Sequence, residues 1–237
     1  GNKVKELRIS GDVSTATVGD TFPLEAYMED EQGTEIGVAP TWSSDTEGVT
    51  VSDEGFVTVT DSAVTGSVTI TAEYTGQIGK YQFNVEVDAS ADEVSGLRLI
   101  GVPGTSLVIG SEDDTDIAGC ADVTRNSDGS PELDYLIEET ETAYYKIENF
   151  HTGLVMTMDE DDGMGNYYVI QDVWNGRDEQ LWRILRAEDG FIIMNKKNGT
   201  CLAIFEPEGE EYEFIVSNGT STRTEAVWTI TEKTADL

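Results

Sequence analysis

Val169-Ile170-Gln171-Asp172-Val173-Trp174-Asn175-Gly176-Arg177-Asp178-Glu179-Gln180-Leu181-Trp182 closes a segment that the chain uses more than once. A β-branched apolar run leads into a turn rich in Asn, Gly and Asp. It ends on an aromatic-x-aliphatic triplet, Trp182-Arg183-Ile184. The same ending returns upstream as Tyr135-Leu136-Ile137 and downstream as Trp228-Thr229-Ile230, so the three aromatics stand 47 and 46 residues apart. A period of about 40–50 residues marks one supersecondary unit used several times, no copy of which can bury its apolar face alone.

Each copy offers four short apolar runs between Gly, Asn and Asp turns. In the middle copy these are residues 145–149, 154–158, 167–173 and 181–184; in the third, 191–195, 201–204, 212–216 and 228–230; in the more divergent first, 97–100, 107–109, 121–123 and 135–137. Runs of this length and composition read as strands, and no stretch keeps the i, i+3, i+4, i+7 rhythm of a helix. Twelve strands in three repeats, about 97–138, 143–186 and 190–232, predict a closed barrel capped by hairpins and free of edges. Tyr135, Trp182 and Trp228 are its expected core residues.

These residues resemble the ricin B-chain lectin family of β-trefoils, whose repeats end in Gln-x-Trp. The resemblance covers roughly residues 96–233 and is strongest at Trp174-Asn175-Gly176, Asp178 and Gln180-Leu181-Trp182. It implies a trefoil fold, with the Gln and Trp of the motif chiefly structural, and it implies carbohydrate as the ligand class. Galactose-binding members resemble one another in an Asp ending the second strand, a stacking aromatic, and an Asn just before Gln-x-Trp. Here the Asp place falls on Val108, Thr157 and Ala203 in the three copies; in the middle copy the stacking place falls on Asp172 and the Asn place on Glu179. An ordinary galactose site is therefore degraded in every copy, and the carbohydrate-binding candidates are Thr157, Gln171, Asp172, Trp174, Asn175 and Asp178.

The front of the chain is a different all-β unit. Residues 4–87 hold seven β-branched runs separated by glycine-containing turns, which predicts a small β-sandwich with Trp42 as a core plug. Val18-Gly19-Asp20-Thr21, Thr41-Trp42-Ser43-Ser44, Gly55-Phe56-Val57-Thr58 and Val68-Thr69-Ile70-Thr71-Ala72 are similar, in order, to the bacterial Ig-like modules of the intimin and invasin type. That resemblance implies a stalk or spacer in a bacterial surface protein. The expected organisation is an Ig-like sandwich at 1–88, a small polar linker at 89–95, and the trefoil at 96–237.

Charge narrows the partners. Fourteen basic against 47 acidic residues leave a net charge of −33, which excludes the cationic face that nucleic acid requires and disfavours an anionic membrane surface. A glycan or cell-surface ligand remains, for a monomer placed outside the cell or on its surface, with any leader or lipid anchor trimmed away. Cys120 and Cys201 sit at non-equivalent places in different repeats and are expected as free buried thiols.

Acidic loops follow the second strand of each repeat, and Asp159, Asp161 and Asp162 make the middle one a candidate for calcium. That loop does not match an EF-hand, and a solvated hairpin tip is the favoured reading; no other cofactor is expected. The single histidine, His151, lies in an expected turn, and no nucleophile motif, zinc spacing or phosphate loop is present, so the chain is expected not to be an enzyme. Two alternatives stand beside a lectin-like surface module. One is a protein-binding module with vestigial sugar sites, the other an ancillary part of a larger glycan-degrading enzyme.

Overall fold

The computed structural model describes residues 6–111, 118–122, 133–205, 208–209, 214–218 and 226–233. The chain divides into two compact units, Gly1–Val87 and Asp88–Leu237. Both are built from strands.

The first unit holds three small sheets. Leu7–Ser10, Glu25–Glu29 and Glu35–Val38 form one; Thr15–Ala16, Gln77–Val85, Gly66–Tyr74 and Thr41–Ser44 another; Thr21–Pro23, Phe56–Val59 and Val49–Val51 the third. Strict alternation explains the long central strand Gly66–Tyr74, where Val68, Ile70 and Ala72 are fully buried and the threonines between them are half-buried. The apolar run that the sequence shows from Phe22 to Met28 is broken at Leu24, whose N–H bonds the Gly55 carbonyl at 2.8 Å, so its two pieces join different sheets. Trp42 is only half-buried. One side of it packs with Leu7, Ala26 and Ala72, while the other lines a groove, so it is a core plug on one face only.

Among the described residues of the second unit, twelve strands join one sheet, four to each expected repeat. Six close a ring through antiparallel pairing: Gly96–Gly101, Tyr135–Glu141, Tyr144–Asn149, Trp182–Ala187, Gly190–Asn195 and Val227–Glu232, the last pairing again with the first. The other six form three hairpins, Leu107–Ser111 with Ala118–Asp122, Val155–Asp161 with Asn166–Asp172, and Cys201–Phe205 with Phe214–Asn218. This is a β-trefoil. Tyr135, Trp182 and Trp228 are fully buried in its core, among Ile100, Ile109, Ile147, Ile184 and Leu202.

The repeats agree down to single bonds. Trp182 Nε1 donates to the Met156 carbonyl at 3.0 Å, and Trp228 Nε1 to the Leu202 carbonyl at 2.8 Å, each across 26 residues. Gly153 and Gly199, with φ of 70° and 72°, each turn the chain after a buried asparagine and bond its carbonyl at 2.9 Å. A side chain at either glycine would be strained in that left-handed conformation.

Residues 89–95, expected as a linker, are instead built into the second unit. Ser90 and Glu93 form a reciprocal capping box on the short helix Ala91–Val94, and Ala89 and Val94 lie in the trefoil core. The Ala89 N–H bonds the Ile184 carbonyl at 2.9 Å. Arg183 holds Asp88 at 2.6 Å, Arg186 holds Glu93 at 2.6 Å, and Arg98 Nη2 bonds the Ser95 carbonyl at 2.9 Å. Small polar composition suggested a hinge; the Ser-x-x-Glu spacing followed by valine makes a capped, anchored turn.

Cys201 is buried and in no disulfide; the side chain of Cys120 lies outside the described residues. Among the described residues no helix is long and apolar enough to cross a membrane.

Candidate ligand site on the middle repeat

Gln180 organises the loop that carries most of the sequence candidates. It ends the short helix Asp178–Gln180 and is fully buried. Its Oε1 accepts the backbone N–H groups of Asn175 at 2.9 Å and Gly176 at 3.3 Å, and its Nε2 donates to the Val173 carbonyl at 2.9 Å. A single amide thus satisfies three main-chain groups, which fixes the path from Val173 to Gly176. The Gln of Gln-x-Trp is here a loop pin.

The six carbohydrate candidates do not converge. Thr157 is fully buried, its hydroxyl donating to the Val155 carbonyl at 3.0 Å and accepting from Gln180 Nε2 at 3.3 Å, so no ligand reaches it. Gln171 is buried with its Oε1 accepting the Thr152 hydroxyl at 2.9 Å, while its Nε2 has no partner among the described residues. Asp172 pairs with Arg177 at 2.8 Å. Trp174 is half-buried, with the Lys146 ammonium 5.4 Å from its ring centroid, a cation–π contact that occupies one face. Asn175 is exposed, its side-chain oxygen taken by the Arg177 N–H at 3.0 Å. Asp178 is exposed and lies 3.5 Å from Lys196. At the other two Asp places, Val108 and Ala203 are buried.

A shallow depression of about 510 Å³ opens beside this loop, and none of the six lines it. Its wall is Tyr167, half-buried at the start of the third strand of the middle repeat. Asp159 and Glu160 border it from the end of the second strand, together with Met158. Arg177 and Glu179 come from the loop that Gln180 pins, and Lys197 and Asn198 from the first turn of the third repeat. Glu179, at the Asn place of the family, forms an ion pair with Lys197 at 3.5 Å. Asn198 accepts through Oδ1 from the Thr200 hydroxyl at 2.7 Å and the Thr200 N–H at 3.1 Å. Donors, carboxylates and one aromatic ring therefore meet here, the composition that suits a polyhydroxylated ligand.

Sequence reasoning found Glu179 as the Asn place and Asp159 as an acid, but not Tyr167, Arg177, Lys197 or Asn198. The depression straddles two repeats, so a reading of one repeat at a time could not assemble it. The one available signal was Tyr167 directly after the acidic turn.

The calcium candidates are drawn into local bonding. Asp161 Oδ1 accepts the Gly163 N–H at 2.7 Å, and Asp162 Oδ1 accepts the N–H groups of Met164 at 2.7 Å and Asn166 at 3.2 Å. The Met164 N–H is the main cause holding the Asp162 carboxyl below its usual value; slight desolvation opposes it, and Asn166 and Asp161 add to the lowering. Among the described residues no group of three or more His, Cys, Asp or Glu is placed to hold a metal ion. The oxygens of Asp161 and Asp162 close a hairpin tip. The acidic stretches at 112–116 and 206–211 lie largely outside the described residues.

Residues 134–213 match the family described as Ricin-type beta-trefoil lectin domain-like, and that stretch contains every residue of the depression. Among solved structures, the second unit resembles the designed 3-fold symmetric protein ThreeFoil, at 16% identity and a TM-score of 0.51, over 58% of this chain and 99% of that one. A cytolethal distending toxin from Actinobacillus actinomycetemcomitans follows at 12% identity and 0.50, over 61% of this chain and 96% of that one. Both likenesses carry the trefoil fold alone. The Polyporus squamosus lectin, solved bound to a human-type influenza-binding epitope, is 20% identical with a TM-score of 0.49, over 58% of this chain and 49% of that one. No curated protein matches the chain. The family match does not reach the first unit, whose Ig-like resemblance rests on its own residues.

Proposed function

We propose that the second unit binds carbohydrate in the depression of the middle repeat, without catalysis, in a protein that works outside the cell or on its surface. The observation that carries this reading is the placing of Tyr167 among Glu179, Asp159, Arg177 and Asn198 inside the stretch that matches a lectin family. A sugar ring presents an apolar C–H face to an aromatic ring, and its hydroxyls both donate and accept, so it needs both kinds of partner at once. The site supplies both. Tyr167 takes the stacking role, whose family place falls here on Asp172, and Glu179 with Asn198 takes the polar role that the usual Asp would have.

Support for a non-catalytic reading comes from the same composition: the single histidine, His151, stands exposed in a turn, and the sequence carries no nucleophile motif. The first unit, by its resemblance to bacterial Ig-like modules, serves as the stalk, and the net charge of −33 suits an exported acidic protein.

A glycan array with the intact protein tests the reading, with Tyr167→Ala, Glu179→Gln and Trp174→Ala alongside. Binding that is lost with Tyr167→Ala and Glu179→Gln but survives Trp174→Ala is the expected pattern. No glycan bound by the intact protein would favour the second reading, a protein-binding trefoil with vestigial sugar sites, to which the burial of Val108, Thr157 and Ala203 at all three Asp places lends weight.

A further inference from the structure

The first unit contains a groove of about 690 Å³ between the strands Glu25–Glu29 and Glu35–Val38 and the turn at 52–55. Its floor is Trp42, and Tyr27 stands on its side. Tyr27 lies opposite Gly37 in the register, and nothing fills the space where a Gly37 side chain would stand, so the groove stays open beside the ring. The opposite rim is rigid. Gly55 has φ of 88°, and a Cβ there would come within 2.6 Å of the Leu24 carbonyl and 3.0 Å of the Trp42 ring. Only glycine lets that turn sit so closely, and the bond from Leu24 N–H to its carbonyl at 2.8 Å fixes it. Asp53 and Glu54 on that turn line the groove together with Glu25 and Glu35.

Three observations say what this groove suits. Trp182 and Trp228 bond their indole N–H groups to buried carbonyls, whereas the Trp42 N–H has no partner among the described residues. Glu25, Glu35, Asp53 and Glu54 likewise enter no ion pair or side-chain hydrogen bond among the described residues, and no lysine, arginine or histidine lines the groove. The nearby cation, Arg8, is committed to Glu29 at 3.4 Å and Glu6 at 3.7 Å. A bare metal ion is not the fit, because no three of these carboxylates come close enough to hold one. A neutral glycan is the poorer fit, because Ser10, Tyr27 and Trp42 are the side-chain donors among the lining residues and four carboxylates would be left without a counter-charge. A basic peptide answers both: its cation spreads over an aromatic face and several carboxylates, and its main-chain carbonyls accept from the Trp42 N–H.

We infer that this groove docks a basic polypeptide segment, with a lysine or arginine side chain over the Trp42 ring and its charge met by Glu35, Asp53 and Glu54. The partner is thus a cationic protein surface, a ligand independent of the carbohydrate reading of the second unit. Complementary charge gives such a site fast capture and marked salt dependence.

The test uses the full chain and a synthetic lysine-rich peptide of about six residues, which in extended form spans about 20 Å. Calorimetric titration is run on the parent protein, on Asp53→Asn/Glu54→Gln, and on Glu31→Gln/Glu47→Gln, which removes the same charge outside the groove. Asp53 and Glu54 lie on an exposed turn, so their neutral variants keep the fold. The expected result is binding weakened about tenfold by the groove pair and no more than about twofold by the outside pair. A Trp42→Phe variant that retains its far-ultraviolet spectrum is expected to lose the peptide-induced change in tryptophan fluorescence. Equal weakening by both pairs would mean bulk attraction to an acidic protein and would overturn the assignment. Absence of peptide binding, or displacement of the peptide by a neutral oligosaccharide, would overturn it equally.

Discussion

The indole nitrogen of Trp182 donates to the main-chain carbonyl of Met156, 3.0 Å away in a fully buried setting, and Trp228 repeats the bond to Leu202 at 2.8 Å. Each bond ties the last strand of a repeat to the second strand of the same repeat. Replacing either tryptophan by phenylalanine leaves a buried carbonyl without its donor and a gap beside it. Each change is expected to cost about 2–4 kcal/mol, with the two costs similar because the environments are equivalent. Urea unfolding of the two variants checks this. A difference above about 2 kcal/mol would show that the repeats are not energetically equivalent.

Gln180 offers a separate test of the loop. Its alanine variant strands the N–H groups of Asn175 and Gly176 and the Val173 carbonyl. The expected outcome is faster hydrogen exchange confined to residues 173–177, with stability lowered by about 1–3 kcal/mol. Exchange unchanged in that segment would mean that the loop is held by other contacts.

Acid should loosen the Ser90–Glu93 cap. Burial pushes the Glu93 carboxyl up, but the Ser90 N–H and hydroxyl, and then Arg186, outweigh it and hold the group below its usual 4.5. Because the folded state binds the proton less readily than the unfolded chain, Glu93 contributes stability above that value. The contribution is lost as pH falls through the lower folded-state value. In Glu93→Gln, stability relative to the parent is therefore expected to be lower at neutral pH and to converge with it as pH drops below 4.5. Thermal melts over that window measure it; a gap independent of pH would remove Glu93 as its source.

Calcium should leave the protein indifferent. With Asp161 and Asp162 engaged by hairpin amides, millimolar calcium is expected to leave the melting temperature unchanged, since only a ligand that prefers the folded state raises it. A saturable rise would place a site on these loops after all.

Much of the trefoil was legible because its signal is periodic. Aromatic-x-aliphatic endings at a constant interval report a core position that each repeat must fill, and turn residues report where strands stop. Ring closure followed from strand number. The segment 89–95 was misread because composition averages over position: Ala, Ser, Asp and Glu look like a hinge, yet Ser90, Glu93 and Val94 in that order cap and anchor a turn. The depression was not legible for a different reason. Trp174 is near Gln-x-Trp in sequence, but Lys146 from another strand covers one face of it, while Tyr167 and Asn198 reach one depression from two repeats. Thr157 was a candidate because it falls at the Asp place of the family; here its hydroxyl accepts from the pinning amide of Gln180.

The arginine-held entry segment also sets where the trefoil can be cut. Excision at Gly96, the first residue of the barrel strand, would remove Ala89 and Val94 from the core and leave Arg183 and Arg186 without their carboxylates. A fragment starting at or before Asp88 keeps all four, so the compact unit starts a full turn of helix and a β-bridge ahead of its first barrel strand. Transplanted onto another carrier, it would bring its own splice joint.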